Sequence, residues 1–350
     1  KTTIDMTNFF DQLPEPAKQS KLQFLKHAYR GFRPIVNKKF TVESYPDLTN
    51  KICIITGMNT GIGYEVVDIL LSKNCTVYGI VRTESKGKAA KETLLAKNKD
   101  TKGSLSIIAG CDLSDFNSVK QTGLKIQELL KGKEVDFVIH NAGLMSNFND
   151  RSNADGIELM FATNVMGPQL LQAYIDPLFL TEKKSENDLK RIIWLSSLAH
   201  MAGPSPYGFN QKDPKYLDVK SRPHSSTLYG QSKASSILQA KAYGIRHQTD
   251  EKYGIQSVSV FPGILTTELA RDYPGFVQKF WNLAFYAPKF GAYSELYGCF
   301  YPDLKTGDYV IPFGAVDTPR QDINSALENG VCLKFWDYVQ EEIKDYLPKN

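Results

Sequence analysis

No run in this chain approaches the ~18 consecutive apolar residues that cross a bilayer, so a membrane-spanning helix is not expected. Residues 1–30 do not read as a secretory leader. Paired cysteines are lacking too. The 5 cysteines, Cys53, Cys75, Cys111, Cys299 and Cys332, are odd in number and have no framework spacing. Three lie in or next to apolar, strand-like runs, which predicts buried free thiols, not disulfides or metal ligands, and a reducing, cytoplasmic setting. Excess charge of one sign is also missing: 42 basic residues face 38 acidic ones, for a net +4. With no basic patch interleaved by aromatics, nucleic-acid binding is set aside. No repeat, low-complexity tract or convincing linker divides the 350 residues.

The chain does carry an alternation of strands and helices. Residues 1–48 come before it as an N-terminal arm. In the arm Leu22, Phe24, Leu25, Tyr29 and Phe32 are interleaved with Lys18, Lys21, Lys26, Arg30 and Arg33. A short basic amphipathic helix could attach to an anionic membrane surface; the preferred reading is an arm packed on the domain. Ile52-Cys53-Ile54-Ile55 is a buried-strand signal. It runs into Thr56-Gly57-Met58-Asn59-Thr60-Gly61-Ile62-Gly63 and then a helical pattern. Glycines between a strand and a helix let backbone approach a pyrophosphate, which sits at the positive helix N-terminus. A second strand, Val77-Tyr78-Gly79-Ile80-Val81, is followed by Arg82, with no acid until Glu84. A carboxylate there would select NAD; a guanidinium suits the 2′-phosphate of NADP, with Lys86 and Lys88 adding to the field. The plainer alternative is a solvated arginine.

Further strands are expected at 105–109, 135–140, 191–195, 255–261 and 307–312. The third leads into Cys111-Asp112-Leu113-Ser114, where Asp112 could reach an adenine amino group or serve only the turn, and Ser114 could cap the next helix. The fourth ends in Asn141-Ala142-Gly143, small residues that leave room for a cofactor. A long helix is predicted over 155–179, in which Asn164 among core-like neighbours needs partners. The fifth strand closes on Ser196-Ser197, and a Pro-, Tyr-, Asp- and Lys-rich insert follows. The sixth strand ends in Pro262-Gly263 with Thr267 beyond, followed by an aromatic stretch over 276–290. A closing helix is read over 335–346. Strand and helix in alternation imply a parallel sheet covered on both faces.

One further pattern concerns proton chemistry. Tyr229 and Lys233 are four residues apart in a run (225–253) that reads as a helix, so they share a face. A fixed cation near a phenol favours the phenolate and makes it a usable proton donor or acceptor. Alone, this is a common surface pair.

Taken in order, Thr56-Gly57-x-x-x-Gly61-Ile62-Gly63, Asp112, Asn141-Ala142-Gly143, Asn164, Ser196-Ser197, Tyr229-x-x-x-Lys233 and Pro262-Gly263 with Thr267 resemble the short-chain dehydrogenase/reductase family over about residues 51–270. The resemblance implies a single α/β Rossmann-fold domain (49–350): a doubly wound parallel sheet of about seven strands with helices on both faces. It would carry a substrate insert (198–224), a lid (264–306) and a C-terminal helical extension (320–350). It also implies a catalytic tetrad. Ser197 would hydrogen-bond the substrate oxygen and Tyr229 would pass its proton. Lys233 would lower the tyrosine pKa and hold the nicotinamide ribose, and Asn164 would position a water between Lys233 and bulk. Contacts to NADP(H) are implied for Gly57, Asn59, Thr60, Gly61, Ile62, Gly63, Arg82, Asp112, Leu113, Asn141, Ala142, Gly143, Tyr229, Lys233, Pro262, Gly263 and Thr267. No metal is implied.

The separation of 32 positions from Ser197 to Tyr229 is longer than the family usually has. With Arg82 and the opening Ser196-Ser197-Leu198-Ala199-His200, they make the chain similar to retinol-dehydrogenase-like members, while the C-terminal Phe335-Trp336 region resembles fungal ones. His140 departs from the family, which often has Asn there. The leading expectation is an NADPH-dependent carbonyl reductase or alcohol dehydrogenase acting on a small apolar ketone, aldehyde or alcohol, such as a steroid, retinoid or other lipid carbonyl. The alternative is an NADP(H)-binding regulator or scaffold without turnover. A homodimer is expected from the family alone. Lys279 and Lys289 around Phe280, Trp281, Leu283, Phe285 and Tyr286 suggest a lid, a dimer contact, or peripheral contact with endoplasmic reticulum membrane or lipid droplets.

Overall fold

Ile52–Thr56 (β1) is apolar on both of its faces, and it lies at the centre of a sheet that is covered on both sides. The computed structural model describes residues 9–18, 20, 22, 25–26, 29–30, 40–182, 189–265 and 286–349. β1 pairs in parallel with β2 (Thr76–Val81) on one side and β4 (Phe137–His140) on the other. β3 (Ser104–Ala109) lies beyond β2, while β5 (Lys190–Leu195), β6 (Ile255–Val260) and β7 (Tyr309–Ile311) extend the far side in parallel. β8 (Ala315–Asp317) then turns back antiparallel. The order is β3-β2-β1-β4-β5-β6-β7-β8, eight strands where about seven were expected. The extra strand is a three-residue hairpin return, too short for any alternation to reveal it.

Alternation in the strands divides the core in two. Ile54, Val138, Ile192 and Trp194 face one cluster, packed beneath α3 (Phe116–Leu129), α4 (Gly167–Phe179) and α5 (Ser225–His247). Cys53, Ile55, Phe137, Ile139 and Ile193 face the other, beneath α1 (Gly61–Ser72), α2 (Glu84–Lys97) and α6 (Pro288–Phe300). All five cysteines are free and buried. Because β2 and β4 leave β1 in opposite directions, a crevice opens at the carboxyl ends of β1 and β4.

Several expected boundaries move. The helix read over 155–179 begins only at Leu159, where the Glu158 carboxylate accepts from the N–H groups of Met160 and Phe161. One turn of α-helix passes through a π turn (Ala162–Met166) into α4. α5 ends at His247 because Gln248 turns left-handed (φ 51°). Asp115, not Ser114, caps α3. The closing helix is α8 (Val331–Glu342), continued by a short 3₁₀ turn, and it is preceded by α7 (Gln321–Glu328).

The insert 198–224 is largely structural: Tyr207, Phe209 and Tyr216 are buried, and only Leu198 reaches the crevice. In the arm, Phe10 packs on Phe209 and Tyr338, and Tyr45 and Leu48 are buried; Leu22 stays 78% exposed. Of the expected lid, 266–285 lie outside the described residues, and with them Lys279, Phe280, Trp281, Leu283 and Phe285. Residues 288–300 are not lid but α6, which packs below the sheet. Among the described residues no helix is long and apolar enough to cross a membrane.

Candidate active site

The turn after β1 lies in the crevice. Gly57 takes a left-handed φ of 74°, and a Cβ at Gly63 would sit 2.4 Å from the Gly57 carbonyl oxygen, so only glycine allows α1 to start this close to the strand. Thr60 caps α1 without a side-chain hydrogen bond, so the first N–H groups of the helix are left without that partner. Asn141 stitches the end of β4 to the turn: its Nδ2 donates to the Thr56 carbonyl (2.8 Å) and the Gly57 carbonyl (3.3 Å). The Ala142 N–H donates to Thr56 Oγ1 at 3.0 Å.

Tyr229 and Lys233 come from α5. Tyr229 and Ser197 line the same cleft, and the Ser197 side chain is near enough to the phenol to act on it. Lys233 Nζ lies 5.6 Å from the Tyr229 ring centre and donates to the Leu195 carbonyl at 2.9 Å. Gly143 backs onto this cation; a Cβ there would come within 3.2 Å of Nζ. Ser196 turns the other way and donates to the Lys233 carbonyl at 2.7 Å. Asn164, in the π turn, accepts from Leu144 N–H (2.7 Å) and donates to Leu144 O (2.9 Å) and Ser232 Oγ (2.9 Å). It therefore braces the strand-end loop from behind and does not line the cleft.

Burial dominates the electrostatics of this pair. It pushes the Tyr229 phenol up, opposed by the nearby Ser197 side chain, and pulls Lys233 down to about 8, opposed by the Glu295 carboxylate. In the protein alone the phenol is therefore raised and not lowered, because desolvation is the larger cause. Glu295 itself is buried on α6, one residue from Ser294, whose Oγ bonds the Pro262 carbonyl at 3.2 Å. Among the described residues neither carboxyl oxygen of Glu295 has a hydrogen-bond partner, and burial raises its pKa to about 8. It was missed because a single Glu in an apolar helix gives no pattern.

The cleft of about 310 Å³ gathers thirteen of the predicted residues: Gly57, Asn59, Thr60, Gly61, Ile62, Asn141, Ala142, Gly143, Ser197, Tyr229, Lys233, Pro262 and Gly263. Gly63 and Asn164 support it from behind. Its remaining wall is Ser196 and an apolar set: Leu144, Met145, Leu195, Leu198, Phe261, Ile264 and Leu265. Leu113 is not at the cleft; its carbonyl is packed against Gly167 at the start of α4, where a Cβ would come within 2.2 Å. Thr267 lies outside the described residues. Arg82 and Asp112 stand apart at the outer end of the crevice, 4.0 Å from each other. One oxygen of Asp112 is used by the Ser114 N–H and hydroxyl, the turn role allowed from sequence. Arg82 is mostly exposed beside a second cavity shared with Lys88, Lys91 and Lys125. His140 points away from the cleft, bonds Gln172 at 2.9 Å and stacks near Trp194; burial holds its pKa down to about 4.

Residues 51–208 match the family model for short chain dehydrogenase. A short-chain dehydrogenase/reductase of Phomopsis amygdali is 32% identical over 88% of this chain and 94% of that protein. Short-chain dehydrogenase/reductase pkfC of Emericella nidulans is 29% identical, covering 91% of this chain and 99% of its own. Among solved structures, an uncharacterised protein from Mycobacterium paratuberculosis superposes with a TM-score of 0.65 at 23% identity, over 89% of this chain and 99% of that one. A short chain dehydrogenase from Shigella flexneri, complexed with NADP, has a TM-score of 0.56 at 18% identity, over 77% and 98%. At these identities the structures speak for the fold alone. The chain belongs to the short-chain dehydrogenase/reductase family of oxidoreductases.

Proposed function

We propose that this chain is an NADP(H)-dependent carbonyl reductase or alcohol dehydrogenase for an apolar ketone, aldehyde or alcohol, with steroid, retinoid and other lipid carbonyls as the substrate class. The observation that carries this is that Ser197, Tyr229 and Lys233 line one cleft with the glycine turn.

The residues fit a dinucleotide. The uncapped N–H groups of α1 and the Cβ-free approach at Gly57 and Gly63 suit a pyrophosphate. Lys233 and the Asn141–Gly143 backbone would hold the nicotinamide end. Arg82, Lys88 and Lys91 would meet a 2′-phosphate in a cavity whose lining also includes Glu84, and β2 is followed directly by Arg82, not by a carboxylate that would favour NAD. The cofactor, when bound, supplies or accepts the hydride. Tyr229, kept protonated by burial, gives its proton to a carbonyl oxygen that Ser197 helps to orient. Lys233, anchored at Leu195 O, lies beside the phenol to offset charge left on it. The apolar wall excludes water from the reacting carbon and favours an apolar substrate.

The test is NADPH oxidation across a panel of ketones and aldehydes by wild type and Tyr229→Phe. Turnover should fall about 10²–10⁴-fold in the variant, the usual scale for a lost acid–base group. NADPH binding, followed by its fluorescence, should stay within a few-fold. A variant that keeps its rate would overturn the assignment.

A further inference from the structure

The buried His200 links the Ser197 carbonyl to two other buried residues, Tyr309 and Arg320. His200 Nδ1 lies 2.7 Å from the Ser197 carbonyl oxygen, and the His200 backbone N–H donates to the same oxygen at 3.2 Å. On the far side of the ring, the Arg320 backbone N–H donates to His200 Nε2 at 3.2 Å. A carbonyl can only accept and an amide N–H can only donate. The two contacts therefore fix a neutral ring with its proton on Nδ1. The Tyr309 hydroxyl is 3.3 Å from Nδ1, and the Tyr309 ring packs edge-on against the imidazole.

Arg320 is itself rigidly held. Its guanidinium bonds Asp322 through Nε (2.7 Å) and donates to the carbonyls of Met201 (3.0 Å), Gly203 (2.6 Å) and Pro204 (2.8 Å). The loop is pressed on α5 at the residue after Tyr229: a Cβ on Gly230 would come within 2.6 Å of Gly203 N. The Ser197 hydroxyl also accepts from the Ala199 N–H at 3.2 Å. Arg320 clamps the loop by itself, and the His200 side chain carries that clamp to the Ser197 carbonyl.

We infer that His200 is a positioning residue, which holds the Ser197 backbone through Nδ1 and anchors it through Nε2 to the start of the C-terminal extension. The inference rests on the proposed role of Ser197 and Tyr229. It makes the C-terminal extension part of the catalytic apparatus, because the extension fixes where the serine hydroxyl stands relative to the phenol.

Two amide substitutions separate the two contacts. The amide nitrogen of His200→Asn occupies the Nδ1 position and can still donate to Ser197 O, without reaching Arg320. In His200→Gln the amide oxygen reaches the Nε2 position and can accept from Arg320 N–H, without serving Ser197. We expect His200→Asn to keep kcat within about three-fold of wild type and His200→Gln to lose at least ten-fold. Both should keep KM for NADPH, and His200→Gln its melting temperature. A His200→Gln enzyme as fast as His200→Asn, or the reverse order, overturns the inference. If His200→Gln does not fold, His200→Asn still decides, because a ten-fold loss there also overturns it. Tyr229→Phe, measured in parallel, separates the levels. If it is dead while the two His200 variants are equal, only this inference fails; if it is active, the underlying reading fails first.

Discussion

A carboxyl group without a single hydrogen bond among the described residues sits at Glu295, buried on the sheet side of α6. Gly291, Ser294, Glu295 and Gly298 share one helical face, and the two glycines touch Leu265 and Ile193. The surroundings hold Lys233 from α5, Cys53 from β1 and Cys299 from α6 itself as the titratable neighbours. Glu295 binds its proton more tightly folded than unfolded, because burial raises its pKa from 4.5 to about 8. Folding therefore takes up a proton between those values, and stability is lost as pH rises through that window. Lys233 runs the other way: lowered from 10.5 to about 8, it gives stability back as pH rises from 8 towards 10.5. Glu295→Gln, which cannot ionise, should flatten the lower window. We expect the wild type to lose on the order of a few kcal/mol relative to this variant between pH 5 and pH 8. Thermal unfolding of both proteins across that range checks this, and parallel curves would contradict it. At this scale the sequence named Tyr229, Lys233 and Ser197 through their spacing. It could not name Glu295, whose interest lies in what it lacks around it, nor the second contact of His200, whose partner is 120 residues away.

At the scale of elements, the proposed selectivity for NADP(H) rests on a strand end. β2 stops at Val81 and places Arg82 at the rim, 4.0 Å from Asp112, one oxygen of which is already used by its own turn. Arg82→Ala should raise KM for NADPH about 10- to 100-fold, the worth of one charge-assisted hydrogen bond, and leave KM for NADH nearly unchanged. Equal effects on the two cofactors would sink the 2′-phosphate assignment. The parallel strands were readable because burial on both faces writes continuous apolar runs. Helix ends were less so. The start at Leu159 depends on the Glu158 cap, and the π turn around Asn164 arises from packing that no periodicity records. The antiparallel β8 is only Ala315–Asp317, and its pairing exists because β7 lies next to it.

Across the whole molecule, the C-terminal extension covers α5. Trp336 of α8 packs near Trp194, Tyr243 and His247, and its carbonyl accepts from Gln169. This joins the last helix to β5, α5 and α4 in one core, directly behind the helix that carries Tyr229 and Lys233. Trp336→Ala should cost about 3–5 kcal/mol, typical for a buried large-to-small change, and lower the urea midpoint accordingly. A loss below 1 kcal/mol would show that α8 is an appendage and not part of that core.

The sequence by itself determined the class of fold, the glycine turn and the tyrosine–lysine pair. Each of these is a local pattern: strand and helix periodicity, a residue type forced by a tight turn, two side chains one helical turn apart. Only the tertiary structure decided how the groups are tuned and braced. Whether Tyr229 and Lys233 are raised or lowered depends on burial by elements distant in sequence. That Asn164 bonds Leu144, that His200 meets Arg320, and that Glu295 finds no hydrogen-bond partner among the described residues are facts of packing between segments. Desolvation and hydrogen-bond partnership belong to the assembled core, so they cannot be read from any one stretch of the chain.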